Sequence, residues 1–253
     1  MALMSAARML ALVAIAAATA VRPVAAPATP VIVELFTSEG CESCPPADVL
    51  LQQLASTQPV SGARIIPLSL HVDYWDQLGW KDRFSSAALT NRQRTYGARF
   101  NTESVYTPQM VVDGRSEFVG SDAGAARKAI ARAAAAAHGA LRIDRDGNSV
   151  TVVVTDLPPH TDRADIVLAL TEDHLKSNVT RGENHGRTLA HTAVVRHLET
   201  IGEATGSKAT ANRTIEIDPA WKTQDVRLIA FVQERRGGAI LASGSETLGA
   251  SRP

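Results

Sequence analysis

Two cysteines in 253 residues, Cys41 and Cys44, stand two residues apart, between an apolar run (Val31 to Phe36) and a helix-like run (Ala47 to Leu54). A Cys-x-x-Cys at a strand-to-helix junction has the spacing of a redox-active dithiol. The start of a helix carries partial positive charge and free N–H groups, which favour a thiolate. Cys41 is therefore expected as the accessible nucleophile, with Cys44 one turn further on as the resolving thiol. Glu42 lies between them, and a carboxylate beside a thiolate acts in the opposite sense. Two other readings compete. An inert bridge closing so short a loop would stabilise little, because loop entropy grows with loop length. Metal binding would need a third ligand.

The elements on either side must hold this pair in place. Pro45 and Pro46 fit only the first turn of a helix, where backbone N–H groups have no internal partner. Val49, Leu50 and Leu54 follow at helical spacing. Ala63 to Val72 forms a second apolar strand and leads into the densest aromatic patch, Asp73 to Phe84. Ser85 to Phe100 is expected as a helix capped by Ser85 or Ser86. Tyr106-Thr107-Pro108 precedes a strand over Gln109–Asp113, and Asp113-Gly114 signals a hairpin whose returning strand includes Phe118-Val119. Ser121 or Asp122 caps an Ala-rich helix to about His138.

From Gly139 the pattern changes to alternating short strands: 140–144, 149–155, 164–171, 188–198, 213–217, 226–233 and 239–245. Strands this short with turn signals between them suggest a β-sandwich. The expected organisation is a signal peptide over 1–26, an α/β domain over 27–138 and a β-sandwich domain over 139–253.

Composition narrows the partners. Basic and acidic residues balance at 26 each, without the basic excess that nucleic acid or an anionic membrane surface calls for. Arg8, the apolar stretch Met9 to Val21 and the small residues Val24-Ala25-Ala26 read as an export signal cleaved after Ala26. No Cys follows for a lipid anchor, no Arg-Arg pair marks twin-arginine export, and no later stretch is long and apolar enough to span a bilayer. A periplasmic or secreted location, with no membrane contact after cleavage, is the expectation, and there a disulfide persists.

Thr107-Pro108 adds to the redox reading. The segment Val105 to Gly114 resembles the cis-proline strand that faces the Cys-x-x-Cys in thioredoxin-like folds. Proline adopts a cis bond readily and offers no N–H to a passing thiol. The motif departs from thioredoxin in having no Trp before Cys41, no Pro between the cysteines, and an inserted aromatic stretch. Glu34-Leu35-Phe36-Thr37-Ser38 with Cys-x-x-Cys-Pro-Pro, His71 to Trp75, Gly79 to Asp82, Arg92-Gln93, Tyr106 to Gln109, Arg181 to Asn184 and Val194 to Arg196 together resemble the secreted, thioredoxin-like domain-of-unknown-function family 1223 of bacteria. The resemblance implies a thioredoxin-like domain and an exported protein, and it implies no established reaction. The fold expected overall is α/β, a thioredoxin-like domain with an inserted aromatic loop followed by an immunoglobulin-like β-sandwich.

Thiol–disulfide exchange on protein thiols or disulfides is the leading expectation, with Cys41 attacking, Cys44 resolving, Pro108 shaping the site and Thr107 binding an extended substrate. The pair carries its own electrons, so no cofactor is required. Partners are then protein substrates or a redox partner protein. Trp75 and Trp80 either form a binding lip beside Cys41 or cover the core. Cys41, Cys44 and His71 form an alternative ligand set for copper(I) or zinc. His185, His191 and His197 recur every six residues, but Gly182 and Gly186 argue against a shared face. A third possibility makes residues 139–253 a binding module. Neither a nucleophile-elbow serine nor a glycine-rich phosphate loop is present.

Overall fold

The structure, a computed structural model, describes residues 28–159 and 163–249. The export signal expected over 1–26 lies outside them. Among the described residues no helix is long and apolar enough to cross a membrane.

The first half alternates strands and helices. Strand β1 (Thr29–Thr37) is followed by α1 (Pro45–Thr57), β2 (Ala63–His71), α2 (Ala87–Phe100), β3 (Gln109–Val112), β4 (Ser116–Val119) and α3 (Ala123–Ala134). The helix starts match their capping residues. Ser86 Oγ accepts from the Leu89 N–H at 3.3 Å, and Asp122 Oδ1 accepts from the Ala125 N–H at 2.9 Å. Asp113 and Gly114 both take positive φ (48° and 62°), as a two-residue hairpin turn requires. A Cβ on Gly114 would also meet the Gly238 carbonyl oxygen at 2.1 Å, so no larger residue fits there.

The second half adds β5 (Ala140–Asp146), β6 (Ser149–Thr155), β7 (Ala164–Glu172), β8 (Leu175–Asn178), β9 (Thr188–His191), β10 (Val194–Ala204), β11 (Ala209–Thr214), β12 (Val226–Glu234) and β13 (Ile240–Thr247). Four of these join the first half in one eight-stranded sheet, ordered β13-β12-β7-β10-β2-β1-β3-β4. The join is narrow. β10 meets β2 in parallel at Val194 and Ser69, where the Ser69 N–H donates to the Ala193 carbonyl at 2.8 Å. The position near residue 138 thus does not interrupt the sheet. Strands β5, β6 and β11 form a second sheet whose apolar face (Val150, Val152, Val154) packs on Ile166, Leu168, Leu228 and Ala230 of the large one. These two sheets pack face to face, and the larger one is continuous with β1 and β2.

At the centre of the large sheet, β1 is buried on both faces, as a strand covered on each side must be. Val31, Val33 and Leu35 face α1 and α3, while Ile32 and Phe36 face the side covered by α2. Glu34 alternates onto the α2 side, where Arg92 bonds both its oxygens at 2.6 and 3.0 Å. The sheet thereby delivers the carboxyl ends of β1 and β2, Thr37 and His71, side by side next to the start of α1.

Candidate active site

Cys41 and Cys44 are joined by a disulfide, and Cys44 is the N-cap of α1. Pro45 and Pro46 occupy the first turn, as their missing N–H groups dictate. The Cys44 carbonyl accepts from the N–H groups of Ala47 and Asp48 at 2.9 and 3.1 Å, which starts the helix on the second sulfur. The peptide bond Thr107–Pro108 is cis. A Cβ on Gly120 would lie 3.1 Å from Pro108 Cβ and 3.3 Å from Ala47 Cβ, so Pro108 and the first turn of α1 share one small space.

The structure corrects one expectation directly. Cys41 has no accessible surface, and neither has Cys44. The cover comes from two segments far away in sequence. Asn184, in the connection between β8 and β9, donates through Nδ2 to the carbonyls of Glu39 and Cys41, both at 2.9 Å. Its neighbour Glu183 accepts the Glu42 N–H at 2.9 Å. On the other side the aromatic insertion closes in. Trp75 packs on Gly40, whose Cβ would come 3.2 Å from Trp75 Cβ, and its indole N–H donates to Thr107 Oγ1 at 2.8 Å. Trp80 donates to Glu39 Oε2 at 2.7 Å. Both indole N–H groups thus bond inward, within the protein. Thr107 holds Trp75 through its hydroxyl.

Around the start of α1 lies a buried polar cluster assembled from five elements. His71, at the end of β2, bonds Asp82 through Nδ1 at 2.6 Å. The same Asp82 carboxylate accepts the N–H groups of Glu39 and Phe84, each at 2.9 Å. His191, at the end of β9, bonds Glu39 Oε1 through Nε2 at 3.1 Å. The two imidazoles meet edge to face with centroids 5.1 Å apart, and Phe84 packs on both. All four ionisable groups are buried. Burial pulls the His71 imidazole down, yet the Asp82 carboxylate outweighs it and the net displacement is upward. For Asp82, burial pushes up and His71 more than reverses it, holding the carboxyl below its ordinary range. Glu39 is likewise pushed up by burial and brought below its ordinary range, His191 first among the opposing groups.

The cluster is only half paired. His71 Nε2, His191 Nδ1, Thr37 Oγ1, Ser177 Oγ and Asp48 Oδ1 are buried and make no well-formed hydrogen bond to a described residue, although the Thr37 hydroxyl faces the Asp48 carboxyl and the Ser177 hydroxyl faces Glu39. Buried polar atoms are almost always paired, so five in one neighbourhood call for an explanation. Asp48 is pushed up to about 6, by burial first, against the opposing pull of His71, His191 and Thr37.

Some groups named from the sequence come together and others do not. Cys41, Cys44, Pro108, Thr107, Trp75 and Trp80 converge on the start of α1. The metal set of Cys41, Cys44 and His71 is not assembled: the sulfurs are bonded to each other and His71 Nδ1 is engaged by Asp82. Among the described residues, no three His, Cys, Asp or Glu side chains are placed to hold a metal ion. Of the three evenly spaced histidines, His191 is in the cluster, His185 is exposed and His197 pairs with Glu199 on the surface. Sequence reasoning missed Glu39 and Asp48, and gave Asp82 and Asn184 no role in a buried cluster or a cover. Asp82 and Asn184 stand inside motifs singled out above and Glu39 lies directly between two, which was the available signal.

The family profile described as a protein of unknown function, DUF1223, matches residues 32–233. The chain belongs to the DUF1223 family. A crystal structure of a protein from Agrobacterium tumefaciens is similar to this DUF1223 chain with 26% identity and a TM-score of 0.69, covering 90% of this chain and 99% of that one. HBP35 of Porphyromonas gingivalis shares the fold, with 15% identity and a TM-score of 0.62 over 90% of this chain and 78% of its own. No curated protein matches the DUF1223 chain.

Proposed function

We propose that this DUF1223 protein is an exported thiol–disulfide oxidoreductase that exchanges its Cys41–Cys44 bond with protein thiols or disulfides. The observation that carries the reading is the disulfide itself, closed across the turn that leads into α1 with Cys44 as the N-cap. The helix dipole at that end favours the thiolate that exchange requires, although Pro45 and Pro46 bring no N–H and the Ala47 and Asp48 N–H groups are taken by the Cys44 carbonyl. In this reading the first half is a thioredoxin-like domain, and Pro108 walls the site opposite the first turn of α1. The sulfur pair supplies both electrons, so the reaction calls for a partner dithiol or disulfide and no cofactor.

Burial of both sulfurs adds a condition. A protein partner reaches Cys41 when the segment around Glu183 and Asn184 moves aside and gives up its bonds to the carbonyls of Glu39 and Cys41 and to the Glu42 N–H. Cys41 then attacks or is attacked, and Cys44 resolves the mixed disulfide. Trp75 and Trp80 line the path while remaining anchored to Thr107 and Glu39.

A Cys44→Ser variant expressed in the native host tests the reading. Without the resolving thiol, Cys41 should accumulate mixed disulfides whose masses identify the partners. Absence of such adducts, together with no exchange between the wild-type pair and glutathione, defeats it.

A further inference from the structure

The half-paired cluster contains a carboxyl that takes no part in the exchange of sulfur bonds itself. Asp48 follows Cys44 by one helical turn, and its N–H donates to the Cys44 carbonyl at 3.1 Å. Residues four apart share a helix face, and side chains lean toward the helix N-terminus. The Asp48 carboxyl therefore lies over the turn that carries Cys44. Its Oδ1 is buried and makes no well-formed hydrogen bond to a described residue, the Thr37 hydroxyl being the nearest group that could supply one.

The surroundings suit proton transfer. Thr37 at the end of β1, His71 at the end of β2 and His191 at the end of β9 face the carboxyl, and Asp82 acts on it from the loop after β2. Glu39, from the turn before Cys41, acts on His71 and bonds His191. Each histidine is held by a carboxylate through one ring nitrogen, and its other nitrogen has no partner among the described residues. Nothing in the packing calls for an acid here. Ala47, Leu50 and Leu51 beside it are buried apolar residues.

We propose that Asp48 accepts the proton of the Cys44 thiol when that sulfur attacks, and returns it when the disulfide is opened. The proposal rests on the exchange reading above. In the resolving step Cys41 is already joined to a partner sulfur. The Cys44 S–H proton passes to the Asp48 carboxylate, the Cys44–Cys41 bond forms and the Cys41–partner bond breaks. The partner sulfur leaves with the electron pair as a thiolate. The chain's two thiols are oxidised and the partner's disulfide is reduced. In reverse, the Asp48 carboxyl protonates Cys44 as a partner thiolate displaces it from Cys41. A carboxyl raised to about 6 can hold or release a proton near neutrality, which suits both directions.

The test uses the full mature chain with Cys41 carrying a glutathione mixed disulfide, and follows glutathione release by Cys44 from pH 4.5 to 8. Wild-type release should fall away below about pH 6. Asp48→Asn should lose that inflection and resolve at least tenfold more slowly near neutrality, in line with general-base contributions of about 10²-fold or more. Asp48→Glu should restore an inflection at a displaced pH. A carboxyl-carbon NMR titration of wild type adds a readout independent of turnover: the Asp48 inflection should move when the disulfide is reduced. An unchanged pH profile in Asp48→Asn, or an Asp48 titration insensitive to reduction, overturns the proton role. If wild type itself never releases glutathione and Cys44→Ser traps no partner, the exchange reading has failed and this inference falls with it.

Discussion

Two buried polar clusters flank β1, and they are built on opposite terms. On the α2 side, Glu34 bonds Arg92 through both oxygens and accepts the Tyr96 hydroxyl as well. Gln233 from β12 completes this network, bonding Arg92, Tyr96 and the Gly238 carbonyl. The second cluster, around the start of α1, has the same ingredients of buried carboxylates facing basic groups, yet five of its buried atoms make no well-formed hydrogen bond to a described residue. Each cluster joins the two halves of the chain, one through Gln233 and the other through His191 and Asn184. A saturated network holds one arrangement. An unsaturated one retains groups able to gain or lose a proton, at a cost in stability.

Removing one partner from the saturated network should give the largest effect. Arg92→Ala leaves Glu34 buried against Tyr96 without its cation. Breaking a buried pair on one side typically costs about 3–5 kcal/mol. Chemical denaturation of wild type and variant measures this loss. The variant also removes contacts to the Tyr96 and Phe231 rings, whose centroids lie 5.1 and 5.4 Å from the guanidinium. A loss below about 1 kcal/mol, the scale of an exposed pair, would erase the distinction drawn between the clusters.

The clusters also differ in how far the sequence discloses them. Secondary structure in the first half was legible because local signals suffice: Ser86 and Asp122 as caps, Asp113-Gly114 as a turn, prolines opening α1. Arg92, Tyr106 and the aromatic insertion stood in the motifs that carried the family resemblance, so a special role for the region could be read. Which residue meets which could not. Glu39 pairs with His191 across 152 positions, and no periodicity encodes such a contact. His191 looked like one of an evenly spaced series, although only it turns into the core. Asp48 reads as an ordinary acid in the first turn of a helix, where the dipole favours one; its burial emerges only once β2 and β9 close over it. The single bridge between β10 and β2 left no mark in the sequence, and β8 (Leu-Lys-Ser-Asn) carries neither an apolar run nor a turn signal to mark it as a strand.

A second prediction separates the clusters by pH. The Asp48 carboxyl rises from an ordinary value near 3.8 to about 6 on folding. The folded state therefore prefers the protonated form. Stability from this group is fully present below pH 3.8 and is lost as pH rises through 6. Two units of displacement correspond to about 3 kcal/mol. This is an upper figure, because the residue as a whole is half-buried even though Oδ1 is not exposed. Asp48→Asn should therefore be more stable than wild type at pH 8, by up to about 3 kcal/mol, with the difference closing toward pH 3.5. Urea denaturation of the oxidised proteins at the two pH values measures it. A pH-independent difference would mean that Asp48 is solvated in the folded protein and that the cluster stores no proton.

The smallest effect belongs to the cover, and it distinguishes closure of the site from the chemistry beneath. Asn184→Ala removes three hydrogen bonds, two to the carbonyls of Glu39 and Cys41 and one accepted from Arg187, but leaves the Glu39–His191 and Asp82–His71 pairs in place. Loss of stability should be about 1–2 kcal/mol, chiefly the net contribution of the two buried bonds, the Arg187 bond being only part-buried. Reduction of the Cys41–Cys44 bond by dithiothreitol should nevertheless accelerate several-fold, because the amide spans the carbonyl of the attacked cysteine. If the rate instead stays at the wild-type level while stability falls, Asn184 acts only as a brace between the halves. Exposure of the sulfurs would then be governed from the other side, by Trp75 and its bond to Thr107.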